Sequence, residues 1–178
     1  HQKLETERGK DKGKRIGARY GVISGWGFFI FLFAIWLSPQ PRFTIPFLEG
    51  HSIVIPLIDF SIPLTNLLIF LPFLVVGAWF GIAGVKATGL AVAETHRSEK
   101  VVSTGVYGVM RHPQYFGAIM THVGFSILMS ALYSLIYTPF VILYNFLVAR
   151  KEEKELIREF GKQYEDYRKR VPMLRPKT

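Results

Sequence analysis

The chain is 178 residues long, is 49% hydrophobic and carries a formal net charge of +9. Its charged residues are gathered into blocks between long apolar runs. A soluble basic domain would mix the two kinds of residue, so that class of protein is excluded. The absence of cysteine excludes disulfides, thiolate metal sites and a cysteine nucleophile. We therefore expect residues 1–178 to form a single integral-membrane domain of the all-α class.

Long uncharged segments predict the membrane-spanning helices. Residues 20–37 are the first and residues 64–85 the second. Between Arg111 and Arg150 there are 38 uncharged residues, too many for one span, so we expect two short spans with a reversal near residues 132–134. The sequence thus predicts a polytopic helical bundle with four transmembrane helices, or five if a further apolar stretch also crosses.

That further stretch is residues 43–60, which combine apolar side chains with prolines and ionisable groups. The interrupting residues are Pro46, Glu49, His51, Pro56 and Asp59. We interpret the stretch as re-entrant or interfacial, because a fifth span would put one basic block on the wrong side of the membrane. Together with His96, these ionisable residues show no metal-ligand spacing, so no metal site is expected.

The basic residues predict the orientation of the bundle. Residues 1–19 hold 7 Lys and Arg, residues 86–112 hold 4 and residues 150–178 hold 10, which together are 21 of the 22 in the chain. Four spans place all three blocks on one face, and the positive-inside rule makes that face cytoplasmic. We expect a multi-pass protein of the cell membrane with a basic cytoplasmic arm at residues 1–19 and both termini in the cytoplasm.

The same blocks predict contact with membrane lipids and not with nucleic acid. They flank the predicted spans, and the N-terminal block lacks the interleaved aromatic residues of a nucleic-acid surface. Two weaker patterns lie inside the spans. Gly77, Gly81 and Gly84 fall near one helix face and predict close helix packing. His122 either lines a cavity or bonds a neighbouring helix, and we prefer the second interpretation.

An Arg-His-Pro step marks the candidate site. Pro113 predicts a helix start, where unpaired N–H groups attract anions and Arg111 and His112 add donors. Tyr107 and Tyr115 flank the step and could stack on a planar ring such as adenine. A carboxylate or phosphate joined to an aromatic group would suit these residues.

Glu152 adds a carboxylate on the same face of the membrane. We expect it to begin an amphipathic C-terminal helix that ends at Val171, and a cationic amine could bind it. Its neighbour Glu153 is expected to be a solvated surface residue. A cationic amine, an anionic group and a ring occur together in S-adenosylmethionine, and part of a dinucleotide has similar groups, so spacing alone leaves both open.

The motifs around this site resemble those of the isoprenylcysteine carboxyl methyltransferase family. The matching residues are Val-Ser-Thr-Gly-Val-Tyr at 102–107 and Arg-His-Pro-Gln-Tyr-Phe-Gly at 111–117. Glu152-Glu153, the Phe-Gly-x-x-Tyr-x-x-Tyr pattern at 160–167 and Arg-Val-Pro at 170–172 complete the match. The resemblance covers roughly residues 98–176, and the chain looks like a prokaryotic, in particular archaeal, integral-membrane member.

The resemblance implies S-adenosyl-L-methionine as the cofactor, S-adenosyl-L-homocysteine as the product and a lipid-like methyl acceptor. It assigns residues 86–178 to a cofactor-binding catalytic half with a cytoplasmic pocket. The implied cofactor contacts are Lys100, Val101, Val102, Tyr107, His112, Pro113, Tyr115 and Glu152. Arg111 and Glu152 are the implied catalytic residues, with Arg111 organising a carboxylate of substrate or cofactor. Where family members that methylate prenylated cysteine carry an arginine, this chain has Val148.

Two other enzyme classes share part of this pattern. A phospholipid N-methyltransferase uses the same cofactor but needs a base, such as His122 or Glu152, to deprotonate an amine. An NADPH-dependent sterol-type reductase also carries a similar step, usually with asparagine where this chain has Gln114. A membrane scaffold without activity is a third alternative. Comparing the binding of S-adenosylmethionine with the binding of NADPH separates these classes.

Overall fold

A computed structural model describes residues 10–47, 50–57, 60–89 and 101–176 of the chain. These residues form six helices and one β-hairpin. In chain order the elements are α1 (Lys10–Leu37), β1 (Ser52–Ile55), β2 (Phe60–Pro63), α2 (Leu64–Thr88), α3 (Val106–Val109), α4 (Pro113–Leu128), α5 (Leu132–Phe160) and α6 (Lys162–Arg170). The predicted helical bundle is confirmed in its main class, with a small sheet added.

Long helices form in all four segments where spans were predicted. Among the described residues, α2 and α5 are long and apolar enough to cross a membrane, and residues Trp26–Leu37 of α1 form a shorter apolar helix. The 16 residues of α4 extend about 24 Å, less than a hydrocarbon core of about 30 Å. Two helices capable of crossing a membrane are therefore present, and the count of four spans stays a prediction.

Helices α2 and α4 pack with their backbones in close contact. A Cβ atom built on Gly117 would lie 2.7 Å from the carbonyl oxygen of Gly77 and 2.8 Å from the amide nitrogen of Gly81. A Cβ on Gly84 would lie 2.6 Å from the side chain of Gln114. The close packing predicted for the glycine face of α2 is thus present, and it fixes the position of the helix that follows the Arg-His-Pro step.

The other end of the bundle is closed by the turn between α4 and α5. Arg42 donates from Nη1 to the carbonyl oxygen of Met129 at 2.6 Å, which places a cation at the negative C-terminal end of α4. Asn66 donates to the carbonyl oxygen of Ile127 at 2.7 Å. Leu32 and Trp36 of α1 pack there in a buried core cluster with Ile119 and Val141.

The stretch at residues 43–60, expected to be interfacial or re-entrant, contains the first strand of an antiparallel hairpin. The second strand begins at Phe60. Ser52 pairs with Pro63 and Ile55 with Phe60. The sequence Ser-Ile-Val-Ile is rich in β-branched residues, which favour a strand. The described part of the stretch contains no helix, so the alternative of a fifth helical span is not supported.

Helix α5 continues without a break from its apolar part into its charged part. The expectation that Glu152 begins a separate C-terminal helix is therefore wrong. The charged residues after Arg150 are good helix formers, so the change in composition marks no helix end. The break comes at Gly161, whose φ of 53° suits glycine, and α6 then runs to Arg170 as the pattern predicted.

Candidate functional site

The Arg-His-Pro step lies against the C-terminal segment of the chain. The backbone N–H of Arg111 donates to the carbonyl oxygen of Pro172 at 2.9 Å, and that of His112 donates to Met173 at 3.1 Å. Pro113 is the first residue of α4, as predicted, and is buried. Two backbone hydrogen bonds therefore fix the entry to α4 against residues that follow α6.

Arg111 joins this step to two further segments. Its Nε donates to Oε1 of Glu153 at 2.7 Å, and its Nη1 donates to the carbonyl oxygens of Arg168 and Val171, both at 2.7 Å. Those carbonyls belong to the end of α6, where the helix dipole is negative and favours a cation. The guanidinium thus connects the start of α4 to α5 and to the end of α6.

His112 lies between two carboxylates. Its Nε2 is 3.2 Å from Oε1 of Glu153, and its Nδ1 is 3.7 Å from Oε2 of Glu152. The imidazole is buried, and its ring stacks on Tyr115 with 5.4 Å between ring centroids and 12° between planes. Both edges of the ring therefore face negative groups, which holds the imidazole in one orientation.

Glu152 is the more accessible of the two carboxylates. Its side chain is 21% exposed, against 9% for Glu153. The hydroxyl of Tyr115 donates to Oε2 of Glu152 at 2.8 Å. The contacts from Tyr115 and His112 both fall on Oε2. This gives an oriented, partly exposed carboxylate to which a ligand cation could bind.

Glu153 is the residue that the sequence interpretation missed. Its expected position on a solvated surface is wrong, because the side chain is buried against Arg111 and His112. A signal was present in the sequence. The buried positions Val141, Asn145, Ala149 and Glu153 recur every four residues along α5. Continuing that spacing places Glu153, and not Glu152, on the inward face of the helix.

Tyr107 connects the site to α4 and α6. Its hydroxyl accepts from Nε2 of Gln114 at 3.2 Å, and its carbonyl oxygen accepts from the hydroxyl of Tyr167 at 2.7 Å. Burial raises the pKa of the Tyr107 and Tyr167 hydroxyls, so both stay protonated near neutral pH. The neutral Tyr167 hydroxyl can then donate to the short helix α3 throughout the physiological range.

The predicted site residues fall into three groups. Arg111, His112, Pro113, Tyr115 and Glu152 lie together, with Tyr107 close enough for the charge of Glu152 to contribute to its raised pKa. Val101 packs against the buried cluster of Tyr164, Tyr167 and Val171, and Val102 is half-buried in the loop before α3. Lys100 lies outside the described residues.

In the described ranges, no group of three or more His, Cys, Asp or Glu side chains is arranged to hold a metal ion. The chemistry available at the site is therefore that of a histidine, two carboxylates, an arginine and tyrosine hydroxyls. These groups can bind a cation at Glu152 and present aromatic rings beside it.

The chain resembles known methyltransferases. It is 36% identical over 92 residues to protein-S-isoprenylcysteine O-methyltransferase B of Arabidopsis thaliana, which is 51% of this chain and 46% of that protein. It is 31% identical over 93 residues to the Homo sapiens protein-S-isoprenylcysteine O-methyltransferase, 51% of this chain and 32% of that protein. Methanethiol S-methyltransferase 2 of Bradyrhizobium diazoefficiens matches at 31% over 101 residues, 55% of this chain and 38% of that protein.

The matched region spans less than half of the length of each of these relatives. The resemblance to isoprenylcysteine methyltransferases that the motifs indicated is confirmed by these similarities. A model of the family described as phospholipid methyltransferase matches residues 63–163, which is more than half of the chain and contains the whole Arg111–Glu153 cluster. The chain belongs to the phospholipid methyltransferase family.

Proposed function

We propose that this protein is an S-adenosylmethionine-dependent integral-membrane methyltransferase that acts on the carboxylate of a lipidic, prenylcysteine-like acceptor. The observation that carries the proposal is Glu152, a partly exposed carboxylate held by Tyr115 and flanked by His112. Family membership supports the reaction class, and the names of the isoprenylcysteine methyltransferase relatives support the acceptor class. The product derived from the cofactor would be S-adenosylhomocysteine.

The donor set at Glu152 fits the cofactor. S-adenosylmethionine has a cationic amino group, for which the Glu152 carboxylate would be a partner, and an adenine ring, which Tyr107 and Tyr115 could contact. His112, Pro113 and the preceding loop, with Lys100, Val101 and Val102, would complete the binding residues. When bound, the cofactor would supply an electrophilic methyl group on a sulfonium.

The residues of this chain would act mainly by positioning. A carboxylate acceptor is already ionised at neutral pH and needs no base, so alignment of the two reactants accounts for the rate. Arg111 and Glu153 keep α4, α5 and α6 together around His112. We therefore propose that Arg111 acts through this network, which keeps Glu152 in a fixed position relative to the Arg-His-Pro step.

A phospholipid amine acceptor is the second candidate, because the matching family is described as phospholipid methyltransferase. An amine must lose a proton, and the most exposed basic group of the cluster is Glu152. Both nitrogens of His112 face carboxylates, which disfavours His112 as a proton acceptor from substrate.

The relatives reported above are all methyltransferases, so the NADPH-dependent reductase is not favoured.

The charge distribution also supports a proposal for the membrane orientation. We propose that the end of the bundle with Arg111 and Glu152 faces the cytoplasm, together with both termini. In the sequence, 21 of the 22 Lys and Arg residues fall in the three blocks that four spans would put on one face, with Arg42 on the other, which supports this orientation. Residues 86–178 would then form the catalytic half, reached by water-soluble cofactor from the cytoplasm and by acceptor from the lipid.

Calorimetry on the purified protein in detergent tests the cofactor class. Titration with S-adenosylmethionine or S-adenosylhomocysteine should give saturable heat, whereas NADPH should give none. Transfer of a labelled methyl group to a short prenylcysteine should then occur, and transfer to a phospholipid amine should not. Saturable NADPH binding without binding of either adenosyl ligand would contradict the proposed function.

A further inference from the structure

A second polar cluster lies about ten residues along α4 from the Arg-His-Pro step, close to the turn between α4 and α5. The hydroxyls of Ser126 and Ser134 are 2.7 Å apart, and Thr138 Oγ1 is 3.3 Å from Nε2 of His122. His122, Ser126 and Ser134 are fully buried. The cluster contains a titratable group that the methyl-transfer proposal does not use.

Two nitrogen atoms in this region have no hydrogen-bond partner in the part of the chain that the structure describes. They are Nδ1 of His122 and Nε1 of Trp36. His122 is 0% exposed and Trp36 is 4% exposed. A buried polar group left without a partner costs about 1 to 3 kcal/mol. Such groups are therefore rare, and two in neighbouring side chains indicate a ligand that serves both.

The two side chains face each other. The ring centroids of Trp36 and His122 are 6.2 Å apart with 26° between planes. The indole also stacks on Phe125 at 4.8 Å and 19°, and this contact fixes its orientation. Because neither nitrogen has a partner among the described residues, Nε1 and Nδ1 do not bond each other, and one small molecule could bond both of them.

The hydrogen-bond roles of the two nitrogens define the ligand. The indole Nε1 can only donate. The hydroxyl of Thr138 lies 3.5 Å from the carbonyl oxygen of Ser134, and if its proton points there, Nε2 of His122 must donate to Thr138 and Nδ1 must accept. The ligand must then accept from Trp36 and donate to His122. A water molecule does both, and it would also suit the other tautomer by accepting twice.

We propose that Trp36 Nε1 and His122 Nδ1 bind one buried water molecule that bridges α1 to α4. A metal cation does not fit, because the indole N–H is a donor, and an anion would lack a positive partner among these groups. Leu32 and Trp36 are the buried hydrophobic residues that α1 contributes to the core. The water would add a hydrogen-bonded link at the same place, independently of the methyl-transfer site.

Nuclear magnetic resonance of the indole N–H tests this site directly. A Trp26→Phe protein labelled with ¹⁵N-tryptophan keeps two indoles, Trp36 and the Trp79 reference, which is 65% exposed on α2. The Trp36 indole proton should show a dipolar cross peak to a long-lived water. The Trp79 indole proton should not show a peak of this kind.

His122→Leu sharpens the test. It should remove the water cross peak of Trp36 and shift its indole resonance, leaving that of Trp79 unchanged. A Trp36 indole without a water cross peak in the protein that retains His122 would overturn the proposal, whether or not His122→Leu folds. A cross peak from detergent in place of water, or a Trp36 resonance insensitive to His122→Leu, would also overturn it.

Discussion

The two polar clusters of the bundle differ in charge and in exposure. The first, made of Arg111, His112, Tyr115, Glu152 and Glu153, consists largely of ionisable groups and has one partly exposed carboxylate. The second, around His122, is made of hydroxyls, an imidazole and an indole, and its histidine and two serines are fully buried. A buried network of neutral groups stabilises a helix interface, whereas a charged network with an open member can bind a ligand. We therefore propose that the first cluster binds the ligand and that the second holds the helices together.

Breaking the buried ion pair should have the largest effect on stability. Glu153→Ala leaves Arg111 buried without its carboxylate, and removal of one partner of a buried pair costs about 3 to 5 kcal/mol. We expect a large fall in the thermal unfolding midpoint in detergent. Glu159→Ala, on the exposed face of the same helix, should change stability by only about 0.5 kcal/mol or less. Equal midpoints for the two variants would remove Glu153 from the network.

The contact between α2 and α4 leaves no room for an added atom at Gly117. Gly117→Ala would place a methyl group 2.7 Å from backbone of α2, and such overpacking costs about 1 to 3 kcal/mol. Gly81→Ala is the matched control, because its Cβ would have no atom within 4 Å and alanine favours a helix. Thermal unfolding should show a loss for the first variant and none for the second. A stable Gly117→Ala protein would mean that the helices are further apart.

Tyr115→Phe separates the two roles within the first cluster. The variant keeps the ring that stacks on His112 but loses the hydroxyl bond to Glu152, which is worth about 0.5 to 1.5 kcal/mol. Cofactor affinity should fall about twofold to tenfold, while the unfolding midpoint changes little. Tyr133→Phe, an exposed tyrosine near the second cluster, should leave affinity unchanged. A Tyr115→Phe protein with unaltered affinity would show that Glu152 needs no help from this hydroxyl.

The serine pair of the second cluster should show a smaller effect. A double-mutant cycle of Ser126→Ala and Ser134→Ala should give a coupling of about 0.6 kcal/mol, the average for hydrogen bonds between membrane helices. Each variant should keep the cofactor affinity of the unmodified protein. A fall in affinity in either variant would show that the two clusters are coupled, contrary to the assignment above.

Local patterns in the sequence predicted much of the fold. The start of α4 at Pro113 and the glycine face of α2 follow from the properties of single residues. The break at Gly161 was missed, because one amphipathic helix was expected to continue to Val171. The hairpin at residues 52–63 was missed, because its prolines and ionisable neighbours obscured the β-branched alternation. The continuity of α5 was also missed, since a change from apolar to charged residues was taken for a helix boundary.

The site was harder to predict because its contacts join distant segments. His112 and Glu153 are 41 residues apart, and Arg111 reaches carbonyls 57 and 60 residues away. Periodicity shows which face of one helix is buried, but not which residue of another segment lies opposite. The four-residue spacing of buried positions from Val141 to Glu153 could have shown that Glu153 is the glutamate facing inward. The hydrogen bond between Glu152 and Tyr115 could be found only from the packed structure.

Cofactor affinity of Glu152→Gln tests the central claim most directly. The substitution keeps the shape of the side chain but loses the charge-assisted bond to an ammonium, which is worth about 1.5 to 3 kcal/mol. Calorimetry with S-adenosylhomocysteine should therefore show an affinity about tenfold to a hundredfold weaker than that of the unmodified protein. Glu155→Gln on the same helix should bind normally. An unchanged affinity of Glu152→Gln would contradict the assignment of this carboxylate to the cofactor.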